Sequence, residues 1–163
     1  MGYSVSSDNT TLSFHELFHY DHGPTLAAML DSFIDNSRVT GRRLLLVMAP
    51  GFHFISHSPF DAGSMMASFL PQLVDVLWKA EPARQLAVWL TMEPTSGGQG
   101  AWPELEKVND VAKRTLTMSG AAVVLDTYAL ALPRPDMLTD GSHYNFHYRR
   151  QAARLLLALA CGG

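Results

Sequence analysis

The chain has 163 residues, 47% hydrophobic and 17% charged, with 12 lysines and arginines against 15 aspartates and glutamates. That length fits one domain spanning residues 1–163 with a sizeable core, and the apolar content is too high for a disordered segment. The charge balance leaves no basic block for a nucleic-acid partner, and the longest apolar stretch, Leu44 to Pro50, is far short of the ~20 residues of a membrane span.

Apolar runs of strand length alternate with helical patterns along the chain. Thr11–Tyr20 is a first strand candidate that mixes aromatics with histidines. Pro24–Asn36 follows, with Leu26, Met29, Leu30, Phe33 and Ile34 on one helical face and Pro24 suited to a first turn. Leu44–Ala49 is a continuous apolar run. Ser64–Lys79 is amphipathic, and Pro71 within it predicts a kink or a late start. Leu86–Met92 is the next apolar run, and the Gly/Ser/Pro-rich segment Glu93–Pro103 after it reads as a surface loop. Pro103–Ser119 is helical with Gly120 as its stop, and Ala121–Asp126 is a last strand ending in a carboxylate. His147–Ala160 closes the pattern, with Ala152, Leu155, Leu156 and Leu159 expected inward. Met29, Met65, Met66 and Met118 read as core filler, and Trp78 and Trp102 as packing anchors.

Continuous apolar strands suit a sheet covered on both faces. The alternation therefore predicts an α/β fold: a three-layer parallel sheet with helices on both faces. Ligands of such sheets bind beyond the carboxyl ends of the strands, so chemistry is sought in the loops Ala49–Gly63, Glu93–Pro103 and Asp126–Asn145.

The first loop places Gly51, His53 and His57 at that edge. Gly51 permits a tight turn or a close backbone approach. An ordinary solvated loop explains the same residues equally well. No carboxylate or cysteine stands at a persuasive spacing from the two histidines, so no metal is expected, nor is any cofactor. His15, His19 and His22 line the same edge or a partly exposed strand.

The third loop carries Asp140-Gly141-Ser142-His143 directly before the last helix. A carboxylate three residues before a histidine can accept the Nδ1–H bond, leaving Nε2 free as a general base. The alternative is an Asp-Gly turn leading into a helix capped by Ser142 or Asn145.

With LLLVMAPGFHF, LAVWLTMEPTSGGQGAW and VVLDTYALALPRPDMLTDGSHYN in this order, the chain resembles the SGNH/GDSL-type hydrolase superfamily, and within it the PC-esterase branch. That branch includes trichome-birefringence-like O-acetyltransferases and neurexophilin-type esterase domains. The resemblance runs from about Leu12 to Leu159. It implies serine-type acyl transfer on an acylated carbohydrate or another small ester. His143 would be the base, Asp140 its orienting carboxylate, and Gly51 and His53 the oxyanion-side block. The family's G-D-S nucleophile block has no counterpart here, and the fold implied lacks its first βα unit. The expectation is thus an N-terminally incomplete domain whose nucleophile comes from elsewhere. The rival expectation is a non-catalytic SGNH-like subunit whose sheet is completed by a protein partner. Relatives of this kind work mostly in the secretory pathway, although no secretory signal is visible in this sequence. A third, weaker reading is a sugar-binding cleft using Phe52, Phe54, Trp102 and Tyr144, residues for which loop packing is the simpler role.

Overall fold

The computed structural model describes residues 2–7, 10–15, 23–49, 55, 60–95, 102–141 and 143–161. In chain order these form β1 (Gly2–Ser7), β2 (Thr10–His15), α1 (Gly23–Thr40), β3 (Leu44–Met48), α2 (Ala62–Leu77), β4 (Gln85–Leu90), α3 (Trp102–Ser119), β5 (Val123–Leu125), α4 (Thr127–Ala131), a 3-10 turn (Pro135–Met137) and α5 (Phe146–Cys161). The fold is α/β.

Strands β3, β4 and β5 make a parallel sheet in that order. The register sets Leu46 beside Ala87, Met48 beside Trp89, and Trp89 beside Val124, so these side chains share one face. Helices α1, α2 and α3 cover that face. Leu30 and Ile34, then Met66, Leu70 and Leu73, then Val108, Ala112 and Leu116 join the strand residues in one core. Trp89 is 1% exposed at its centre.

Polar groups buried at the helix–sheet junctions are all partnered among the described residues. Gln85 Nε2 donates to Ile34 O while its Oε1 accepts from Glu81 N, which fastens the start of β4 to α1. Asn109 in α3 reads the backbone of Met92 as a strand would, accepting from its N–H and donating to its carbonyl. Both amides thus satisfy main-chain groups that would be costly to leave unpaired in the interior.

The opposite face of the sheet is different. Leu45, Val47 and Val123 are 38%, 43% and 40% exposed, although the central Val88 is buried. The continuous apolar runs therefore encode a sheet with two apolar faces, of which α1, α2 and α3 cover one.

Several expectations are corrected by packing. The first strand candidate, Thr11–Tyr20, contributes β2, which pairs antiparallel with β1 and not with the parallel sheet. The hairpin register sets Tyr3 opposite Phe14 and Val5 opposite Leu12. Helix α2 starts at Ala62, so Pro71 marks no late start; it lies inside the helix at an exposed position. Leu155 and Leu159 of α5 are 42% and 39% exposed, since the small core that receives this helix reaches only from Tyr148 to Ala152. Met118 is exposed at the end of α3 and fills no core. Trp78 is also largely exposed, yet its indole N–H donates to Ser119 O and ties the ends of α2 and α3 together. Gly120 follows α3 with φ of 65°, the left-handed stop expected there.

These two faces respond differently to substitution. Trp89→Ala is expected to cost about 3–5 kcal/mol in urea unfolding, whereas Val47→Thr, on the half-open face, costs under about 1 kcal/mol. Equal losses at the two positions would show that the second face is as tightly packed as the first.

Candidate active site

The carboxyl ends of β4 and β5 are knitted together by short polar side chains. Thr91 N donates to Leu125 O, extending the strand pairing by one residue. Thr91 Oγ1 donates to Asp126 Oδ1 at 2.9 Å and accepts from Tyr128 N at 2.8 Å. Thr127 Oγ1 donates to Thr91 O. Asp126 also caps α4 by accepting from Ala129 N, and Lys113 Nζ stands 2.6 Å from its Oδ2. Partial burial alone raises the Asp126 pKa, but the bonds from Lys113, Ala129 and Thr91 outweigh it and hold the carboxyl below its usual range. Asp126 is therefore a structural anion, fully committed to joining β5 to α3 and α4.

The loop carrying Asp140 and His143 is closed like a small hairpin. Leu138 bridges to Tyr144, Thr139 N and Oγ1 both donate to His143 O, and Asn145 N donates to Met137 O. Gly141 holds φ at 81° within this turn, a conformation that resists a side chain. Asn145 Oδ1 accepts from Tyr148 N, so the cap expected at Ser142 or Asn145 is provided by Asn145.

Within that turn the Asp140 carboxylate holds His143 at two points. Oδ1 accepts from the His143 backbone N–H and Oδ2 stands 2.7 Å from Nδ1. A carboxylate only accepts, which assigns a ring hydrogen to Nδ1 and, in the neutral ring, leaves Nε2 as the lone-pair nitrogen. Both side chains are more than half exposed, and an exposed pair of this kind contributes little to stability. Its effect is orientation. Among the described residues no hydroxyl is hydrogen-bonded to Nε2.

Two tyrosines that follow His143 bind the turn to the sheet. Tyr144, 4% exposed, donates its O–H to Pro94 O, four residues beyond the end of β4. Tyr148, 3% exposed, reaches Thr127 O at the start of α4 and Glu93 Oε1 in the β4 loop. The rings lie 4.4 Å apart and pack with Ala131 and Met137 in a small core of their own. The dyad thus stands at the carboxyl edge of the parallel sheet, the edge where such sheets place their ligands. Sequence reasoning missed Glu93 and Tyr148 as parts of this site, and Tyr144, named there as an aromatic of a sugar-binding cleft, is buried in the packing of the turn. The signal available was the position of Glu93 just after a strand and the spacing of the two tyrosines, which puts them on one side of the α5 start.

Of the four residues expected in the site, Asp140 and His143 are brought together. Gly51 and His53 lie outside the described residues, as do His19, His22 and His57. Among the described residues no group of three or more histidines, cysteines, aspartates or glutamates is arranged to hold a metal, and no helix is long and apolar enough to cross a membrane. No protein-family model matches the chain, and no curated protein matches it significantly.

Proposed function

We propose that this chain carries the acid–base half of a serine-type O-acyl esterase or acetyltransferase site. The observation that carries the reading is the 2.7 Å Asp140 Oδ2–His143 Nδ1 contact at the carboxyl edge of a parallel sheet, with Nε2 directed to no described partner. His143 is the general base and Asp140 the group that orients it and stabilises the imidazolium. A serine hydroxyl, supplied from outside this sequence, gives its proton to Nε2 as its oxygen bonds to the acyl carbon. The C–O bond to the alcohol then breaks, and the alcohol leaves with the proton returned from Nε2. Water or an acceptor hydroxyl reverses the same steps and releases the acyl group. Gly51 and His53 are assigned to the side of the developing oxyanion, by the resemblance of their G-x-H string to the family's G-x-N. An acylated carbohydrate or a comparably small acetyl ester is the substrate class. In assays of the full-length protein on a small acetyl ester, His143→Ala lowers kcat/KM by about a thousandfold or more, and Asp140→Asn lowers it by a similar order. Hydrolysis that survives His143→Ala undiminished would refute this role.

A second reading is favoured by one observation, the partly exposed apolar face formed by Leu45, Val47 and Val123. On this reading the chain is a non-catalytic SGNH-like subunit, and a protein partner supplies the strand beside β3 and the helix that would make the third layer. The isolated chain is then oligomeric by multi-angle light scattering at micromolar concentration. A stable monomer at that concentration argues against the subunit reading and leaves the first one standing.

A further inference from the structure

The contacts around Tyr148 impose a hydrogen count. A phenol carries one hydrogen, yet Tyr148 Oη lies 2.9 Å from Thr127 O and 3.1 Å from Glu93 Oε1. The Thr127 carbonyl can only accept, and it faces the phenol oxygen at 2.9 Å in the interior, where Thr127 is 1% exposed. With the phenol hydrogen on Thr127 O, the contact to Glu93 is a bond only when the carboxyl itself carries a hydrogen. With the hydrogen turned to an ionised Glu93, two buried acceptors would face each other across 2.9 Å.

We propose that Glu93 is a positioning residue for His143, acting as a neutral carboxylic acid whose O–H donates to Tyr148 Oη while Tyr148 donates to Thr127 O. This rests on the acyl-transfer reading of the Asp140–His143 pair and extends it. The chain Glu93–Tyr148–Thr127, together with Tyr144 on Pro94 O, fastens the C-terminal flank of the histidine turn to the ends of β4 and β5. Glu93 touches neither the substrate nor the base; it acts through Tyr148 and the start of α5.

The electrostatic surroundings agree. Burial raises the Glu93 pKa above its ordinary 4.5, against the opposing effects of the Tyr148 hydrogen bond and the Arg149 charge. Burial and the adjacent Glu93 likewise raise the Tyr148 phenol, with smaller contributions from Tyr144 and Asp126, so it stays a neutral donor. From the sheet side, Asp126 also acts on the Tyr148 phenol, and it is already paired with Lys113. Since the folded-state pKa of Glu93 is raised, its protonated form is favoured by folding. That contribution is complete below 4.5 and is lost as pH rises through the higher folded value.

The test follows Glu93 by carboxyl 13C NMR and the His143 ring by 1H–15N NMR in the full-length protein, alongside hydrolysis of a small acetyl ester. Glu93 is expected to remain protonated at pH values above 4.5, and the His143 ring resonances to shift as it ionises. Glu93→Ala lowers kcat about tenfold with KM changed less than about twofold, the pattern of a misplaced base. Glu93→Gln, whose amide can still donate to Tyr148, restores most of that loss, and the limb of the pH profile belonging to Glu93 disappears. An ordinary titration of Glu93 near 4.5, or Glu93→Gln as impaired as Glu93→Ala, overturns the proposal. Absence of any hydrolysis counts against the acyl-transfer reading alone, because the NMR arm still decides: ring shifts that track Glu93 in wild type and vanish in Glu93→Gln support positioning, and shifts that ignore Glu93 overturn it.

Discussion

The organisation of this site depends on the Tyr148 phenol, a single buried hydroxyl placed where three segments meet. It stands in the first turn of α5, yet its oxygen contacts the start of α4 and the loop after β4. Without that junction, the turn carrying Asp140 and His143 would keep the Tyr144 bond to Pro94 O as its tie to the end of β4. Burial makes the junction rigid and also makes it demanding, since every polar atom drawn into it must find a partner. Tyr144, Thr127 and Glu93 are those partners or their neighbours, and the neutral state inferred for Glu93 follows from the same requirement.

The exposed dyad and the half-covered sheet describe one molecule at two levels. Side chains on one face of β3, β4 and β5 are locked under three helices, and this fixes where the strand ends lie. Those ends in turn place Pro94 and Thr127, the two carbonyls on which the tyrosines hang. The other face, with Leu45, Val47 and Val123 partly open, contributes little to this positioning. A cover over that face would add stability and a third layer without altering the chain of contacts that leads to His143. The catalytic and subunit readings therefore differ in what the chain does and agree on how the turn is held.

Much of the fold was legible in the sequence because its main signals are local. The runs Leu44–Ala49, Leu86–Met92 and Ala121–Asp126 became β3, β4 and β5 with ends shifted by one or two residues, and the helices followed their apolar periodicity. The Asp140–His143 contact was also readable, since three residues of spacing and a flexible glycine suffice to form it. What escaped was non-local. Nothing in the spacing of Leu155 and Leu159 says that the core receiving α5 ends near Ala152. Pairing of Tyr148 with Glu93 joins residues 55 positions apart, which no periodicity encodes. The hairpin of β1 and β2 was missed because serines dilute its alternation, although the register shows that the pattern was present.

The proposed acyl transfer requires a histidine held so that its outer nitrogen is the base. Long-range 1H–15N correlation of the neutral His143 ring measures that directly. The expected result is the hydrogen on Nδ1, facing Asp140, with Nε2 unprotonated, and Asp140→Asn is expected to disturb this preference. A neutral ring with its hydrogen on Nε2 in the unaltered protein would contradict it, because that nitrogen could then accept no proton from a serine.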